Sequence, residues 1–214
     1  MTLTQALIAF VFAAALLTIT PGLDTAIVLR ASALEGRRAG IAAAAGITLG
    51  LMVWGAASAI GLTALLAASS LAYTALKWIG AAYLIGLGLM MMLKPPNSKG
   101  GGAPASETPE VVDVHGAGLW LRRGLLTNLL NPKVGVFYVA FLPQFTPAGT
   151  PAGPFIALLV AIHIFEGVLW FAALIAATQP LSRYLRRPEI ARRMNRLTGV
   201  VFIGFGARLA LTAR

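Results

Sequence analysis

Residues 3–29 read LTQALIAFVFAAALLTITPGLDTAIVL. A helix crosses a bilayer with about 20 mostly apolar residues, so this stretch is long enough to span. Pro21-Gly22 must break or kink it, because proline lacks the N–H of a helical turn and its ring crowds the turn before. Residues 125–145 read LLTNLLNPKVGVFYVAFLPQF and repeat the theme at Asn131-Pro132-Lys133. The reading that follows is an all-α polytopic membrane bundle whose first and fourth helices are broken at proline.

Four more stretches satisfy the same length and polarity test: Gly40–Ala67, Leu71–Leu93, Phe155–Thr178 and Leu197–Thr212, the last being the shortest. Six transmembrane helices are therefore expected. Composition agrees, since the chain is 58% hydrophobic and only 11% charged, against about 25% charged residues in a soluble domain. The net charge of +10 sits in short runs between apolar segments. That pattern orients membrane helices and, without interleaved aromatics, does not suit nucleic acid.

Arg30, Arg37 and Arg38 follow the first span. Lys94, Lys99, Arg122 and Arg123 fall in the central connection, and six arginines from Arg183 to Arg196 precede the last span. The connections around Ala68–Ser70 and Thr146–Pro154 carry no charge. The positive-inside rule then puts the basic loops in the cytoplasm and both termini outside. Residues 94–118, rich in Gly, Pro and Ser, read as a flexible cytoplasmic linker between two three-helix halves, 1–93 and 119–214. Three spans per half is an odd number, so the halves are expected to be inverted. Matched proline breaks in inverted repeats point to a transport site. Leu181–Leu197, interrupted by Pro188, reads as a basic interfacial stretch. The N-terminus lacks the basic start of a signal peptide and is expected to be a retained helix. Gly46, Gly50, Gly80, Gly86 and Gly88 are expected to allow close helix packing, and Met90, Met91 and Met92 to face lipid.

The absence of cysteine excludes disulfides, thiolate metal sites and thiol redox chemistry. With two histidines, His115 and His163, and His-x-x-Glu supplying two ligands at most, no metal site is expected. There is no phosphate-binding loop and no nucleophile–base set, so neither ATP-driven transport nor an enzyme is expected, and no cofactor.

Three groups of residues carry the candidate chemistry. At Thr20-Pro21-Gly22 the freed backbone groups persist in lipid only if they face protein or a water-filled cavity. Asp24 adds a carboxylate able to take a proton or hold an ammonium, the structural alternative being an interfacial pair with Arg30. Asn131-Pro132-Lys133 places a cation inside an apolar segment, which needs a partner, a cavity or a snorkelling route to the cytoplasmic face. Gln144 follows later in that span. His163 and Glu166 stand three apart on the fifth span and are a candidate proton relay, with Trp170 on the same face. The alternative for Glu166 is a structural pair with Lys or Arg.

The chain resembles the LysE/RhtB family of amino-acid exporters. The resemblance lies in Thr20-Pro21-Gly22 with Asp24 and Gly36-Arg37-Arg38-Ala39-Gly40, in residues 76–84 (LKWIGAAYL), in Asn131-Pro132-Lys133 with residues 141–145 (FLPQF), and in Arg196-Leu197-Thr198-Gly199 with Gly204-Phe205-Gly206. Leu23 departs from the second proline usual there. The resemblance implies a transporter that exports a small amino acid or related metabolite across a bacterial inner membrane, driven by a proton or other coupling ion. Expected partners are that substrate, the coupling ion and the bilayer, with no nucleic acid; a homodimer is left open. The competing readings are a metal-cation exporter, with Asp24 and Glu166 as oxygen ligands, and a non-transporting membrane partner.

Overall fold

The computed structural model describes residues 2–68, 70–93, 116–147, 149–177 and 187–211, and every regular element among them is helical. Helix α1 spans Leu3–Ile19 and opens with a capping box, in which Thr2 and Gln5 exchange side-chain-to-backbone hydrogen bonds. Thr20 leaves the helix in extended backbone (φ −67°, ψ 118°). Helix α2 then runs Leu23–Ala68 with a second interruption at Gly36 (φ 79°, ψ −171°), a conformation open to glycine and strained for other residues. Helix α3 covers Ser70–Leu93.

Helix α4, Ala117–Leu129, is followed by the short α5, Pro132–Val136, a π-helical turn at Phe137–Phe141 and a 3-10 turn at Leu142–Phe145. The two parts of this segment are bent by 52°. Helix α6 spans Ala152–Ala176 and α7 spans Pro188–Leu211. By length and composition, the described residues contain two helices able to cross a membrane, or three when the bent pair counts as one span; α1 and residues 78–93 are shorter apolar helices.

Both proline breaks fall where the sequence places them. The fourth segment begins eight residues earlier than expected, at Ala117. Pro188 begins α7 where an interruption was expected. Its missing N–H is an orphan in any first helical turn, so proline is tolerated there. Residues 94–115, the bulk of the expected linker, lie outside the described residues, as do 181–186 of the expected interfacial stretch.

Glycine sets the closest packing. A Cβ at Gly46 would sit 2.0 Å from the Leu121 carbonyl oxygen, and one at Gly124 would sit 2.1 Å from that of Ala43. Helices α2 and α4 therefore meet backbone to backbone, as small residues permit where lipid gives no hydrophobic drive to association. Gly88 does the same against Gly199 of α7, whereas Gly86 is exposed and meets nothing. Met90 is exposed, but Met91 packs on the core and Met92 lies beside Gly199, so the methionine run faces lipid only in part.

Two apolar clusters result. The larger is aromatic, joining Phe10 of α1 to Phe137, Phe141 and Phe145, with Phe202 of α7. The smaller gathers Val28, Leu29, Ile47, Trp120, Phe171 and Leu174. Large apolar side chains remain on the outside, among them Phe12, Ile60, Leu130 and Phe165, each more than 60% exposed. Exposed apolar surface of that extent is what a bilayer covers.

Candidate functional site

In an unbroken helix the Leu17 carbonyl accepts the N–H of residue 21. Residue 21 is proline, so that carbonyl is orphaned, and the extended turn at Thr20 orphans the Thr20 carbonyl as well. Lys133 fills both places. Its Nζ donates to Leu17 O at 2.8 Å and to Thr20 O at 3.2 Å. The ammonium therefore does not snorkel to an aqueous face. It is the cation that the freed carbonyls attract.

The second break works by the same rule. Asn128 O would accept from residue 132, again a proline. It accepts instead from Asn131 N at 3.1 Å and from Trp54 Nε1 of α2 at 3.4 Å. The Trp54 ring sits so close that a Cβ at Gly135 would meet it at 2.9 Å. Asn131 Oδ1 caps α5 by accepting from Lys133 N at 3.1 Å. Its amide also donates to Asp24 Oδ1 at 3.3 Å, and the Asn128 amide donates to Asp24 Oδ2 at 2.8 Å. Asp24 lies in the first turn of α2, where the helix dipole favours a negative charge.

Each break is thus held by side chains from the other half of the chain. Lys133 reaches residues 17 and 20, Trp54 reaches residue 128, and Asn128 and Asn131 reach residue 24. Arg30 is exposed and is not among the hydrogen-bond partners of Asp24.

Between the breaks lies a cavity of about 40 Å³. Of the candidates named from sequence, Thr20, Gly22, Asp24, Asn131, Lys133 and His163 line it. Pro21 and Pro132 shape the breaks without lining it, and Gln144 and Glu166 lie off it. The reason for Glu166 is angular. Helix α6 faces the cavity with His163, Gly167 and Phe171, a series in steps of four, and a residue three along from His163 turns to the other side of that stripe. Glu166 Oε2 and Trp170 Nε1 are buried with no hydrogen-bond partner among the described residues. His163 is buried and its Nδ1 pairs with the Tyr138 hydroxyl at 3.0 Å.

Thr18 also lines the cavity, and Asn128, Trp54 and Thr198 brace the breaks around it; none of the four was among the candidates for chemistry named from sequence. Thr198 of α7 pairs with Thr20 through their hydroxyls, and Thr20 Oγ1 donates onward to Leu16 O at 2.6 Å. For Asn128 a signal existed: it stands three residues before Asn131, so both amides share a face of the segment. For Trp54 there was none, because an indole in an apolar helix reads as packing.

The family model described as LysE type translocator matches residues 15–213. A membrane protein of Vibrio cholerae serotype O1 is 35% identical over 204 residues, 95% of each chain. A leucine efflux protein of Klebsiella pneumoniae is 31% identical over 204 residues, covering 94% of this chain and 92% of its own. A homoserine/homoserine lactone efflux protein of Salmonella typhimurium is 29% identical over 203 residues, 94% of each. No solved structure matches. With two proline-broken helices meeting around buried charges and a family match along nearly its whole length, this multi-pass membrane protein belongs to the LysE type translocators.

Proposed function

We propose that this chain is a secondary exporter that moves a small amino acid or related metabolite out across the bacterial inner membrane in exchange for protons. One observation carries the reading: Asp24 and Lys133, opposite charges from opposite halves of the chain, line a single cavity between two helix breaks. Such a pair complements the two charges of an amino acid. Ionisable groups inside a membrane segment are costly and are retained where they serve a pathway. The leucine and homoserine efflux proteins among the relatives support the substrate class.

The surrounding architecture is six spans in two inverted halves, with basic loops cytoplasmic and both termini outside. Alternation of charged and uncharged loops supports the orientation, and the reciprocal hold between the breaks supports the pairing of the halves. A cavity of about 40 Å³ admits water but not an amino acid, since small-molecule pockets measure roughly 300 Å³ or more. Transport therefore requires the two breaks to part. Gln144 and Glu166 join the pathway only when they do, and His163, held by Tyr138, lines its wall.

Counterflow in proteoliposomes tests the reading. Labelled leucine and homoserine, followed by a wider amino-acid screen, are exchanged while a trapped dye reports internal pH. Exchange with opposite proton movement is expected. Exchange without proton movement removes the antiport, and no exchange of any amino acid removes the exporter. Reporter fusions at Gly101 and at the C-terminus should give opposite signals; equal signals would sink the six-span topology.

A further inference from the structure

We propose that the Leu17 and Thr20 carbonyls are the binding site for the substrate's ammonium group, and that Lys133 occupies this site as a tethered stand-in. The arriving substrate displaces the Lys133 ammonium and gives it a carboxylate partner. The inference rests on the exporter reading for its substrate, while the site itself stands on geometry.

Four observations carry it. The carbonyl pair already holds a primary ammonium, at 2.8 and 3.2 Å. Lys133 spends these hydrogen bonds on backbone, although Asp24 lines the same cavity; Asp24 is held by the two asparagine amides. The ammonium is therefore docked on neutral dipoles that an equal donor can take over without breaking an ion pair. Thr18 lines the cavity, and its Oγ1 is buried with no hydrogen-bond partner among the described residues. It is a free polar group one residue from Leu17, ready for an incoming ligand. Finally, Leu17, Ile47, Leu51, Val134 and Phe171 give the remaining wall an apolar character suited to an aliphatic side chain.

Charge balance then selects the ligand. The cavity holds one negative and one positive group. A zwitterion adds no net charge: its ammonium replaces Lys133 on the carbonyls and its carboxylate receives the displaced ammonium. A bare amine would leave an uncompensated positive charge in a medium of low dielectric, which is strongly unfavourable. A bare carboxylate cannot replace a donor on the carbonyls. A trimethylated ammonium has no N–H to offer them. The ligand class is a short skeleton bearing both a primary ammonium and a carboxylate.

The experiment exchanges these roles. Lys133→Met empties the carbonyl site and removes one positive charge, so a bare amine becomes the matching ligand. Thermal melting of detergent-purified protein is read with leucine, isoamylamine, 3-methylbutanol, 4-methylpentanoate and a trimethylammonium analogue. In the wild type, leucine alone should raise the melting temperature. In Lys133→Met, leucine affinity should fall at least about 30-fold, the effect of removing one partner of a buried charge pair, and isoamylamine alone should stabilise in a dose-dependent way. Isoamylamine without effect on a folded Lys133→Met protein overturns the proposal. So does isoamylamine competing with leucine in the wild type as well as leucine itself, a measurement that decides the matter even if the variant does not fold. Failure of the wild type to bind any amino acid would remove the exporter reading, while amine rescue of Lys133→Met would still establish the ammonium site.

Discussion

The two proline breaks solve one problem in two ways. At each, proline removes the N–H that the carbonyl four residues earlier needs, at Leu17 in the first and Asn128 in the second. The second break is largely repaired from within, by the Asn131 N–H and its side-chain cap, with Trp54 adding a neutral donor. The first break has two open carbonyls, and the donor that reaches them is a charged lysine from the other half. The difference lies in the donors that the freed carbonyls receive. The two open carbonyls at the end of α1 take a cation. The one at the end of α4 takes neutral donors, and the start of α5 is capped by an asparagine oxygen. One break is therefore built to be static and the other to exchange its donor.

The largest effect that sharpens this contrast is expected from Asp24→Asn. It keeps the side-chain shape and removes the charge that balances Lys133. Efflux should be abolished while expression and membrane insertion persist. Export at the wild-type rate with unchanged pH dependence would make Asp24 a structural residue and dissolve the pairing of charges across the cavity.

Asn131 comes next, because it serves both breaks at once. Asn131→Ala loses a helix cap worth about 1 kcal/mol and a hydrogen bond to a carboxylate worth roughly 1.5–3 kcal/mol. Asn131→Asp keeps the cap but sets a second carboxylate against Asp24. If the cap dominates, the Asp variant melts above the Ala variant. If the tie to Asp24 dominates, the Asp variant is the weaker of the two. The second outcome is expected, since like charges in a poorly solvated site repel strongly.

Trp54→Phe probes the neutral side of the comparison. It keeps an aromatic ring over Gly135 and deletes the indole donor to Asn128 O, a long hydrogen bond at 3.4 Å. Interhelical hydrogen bonds in membrane proteins average about 0.6 kcal/mol. The loss in melting temperature should be small, and leucine exchange should stay close to wild type. A loss of exchange as deep as that of Lys133→Met would show that the two breaks are equivalent.

Both breaks, with the charged residues beside them, were legible in the sequence, because proline and buried charge are local signals. The all-helical character followed from composition. What joins to what was not legible. Lys133 admitted a partner, a cavity or a route to water, and the choice depends on how two segments more than 100 residues apart are brought together. On α6 the sequence does not say which side of His163 turns inward, since spacings of three, as to Glu166, and of four, as to Gly167, both keep neighbours close yet drift in opposite directions around the helix. Thr18 and Thr198 are small polar residues in apolar helices, a pattern too common to mark a site.

The smallest effect is expected at Thr198, and it tests whether the first break is also tied to α7. Thr20 Oγ1 gives its hydrogen to Leu16 O, so the Thr198 hydroxyl must be the donor between the two threonines. Thr198→Val removes that single hydrogen bond with little change of shape and leaves the Thr20–Leu16 contact in place. The cost should be about 0.6 kcal/mol, read as a small drop in melting temperature with efflux near wild type. Thr20→Val removes both hydrogen bonds and strands a buried hydroxyl at Thr198, so it should cost more, by roughly 1–2 kcal/mol for the orphaned group. The double variant should be no worse than Thr20→Val alone, because the donor left stranded is then gone. Additive losses would mean that the two hydroxyls do not interact, and that α7 leaves the first break to Lys133.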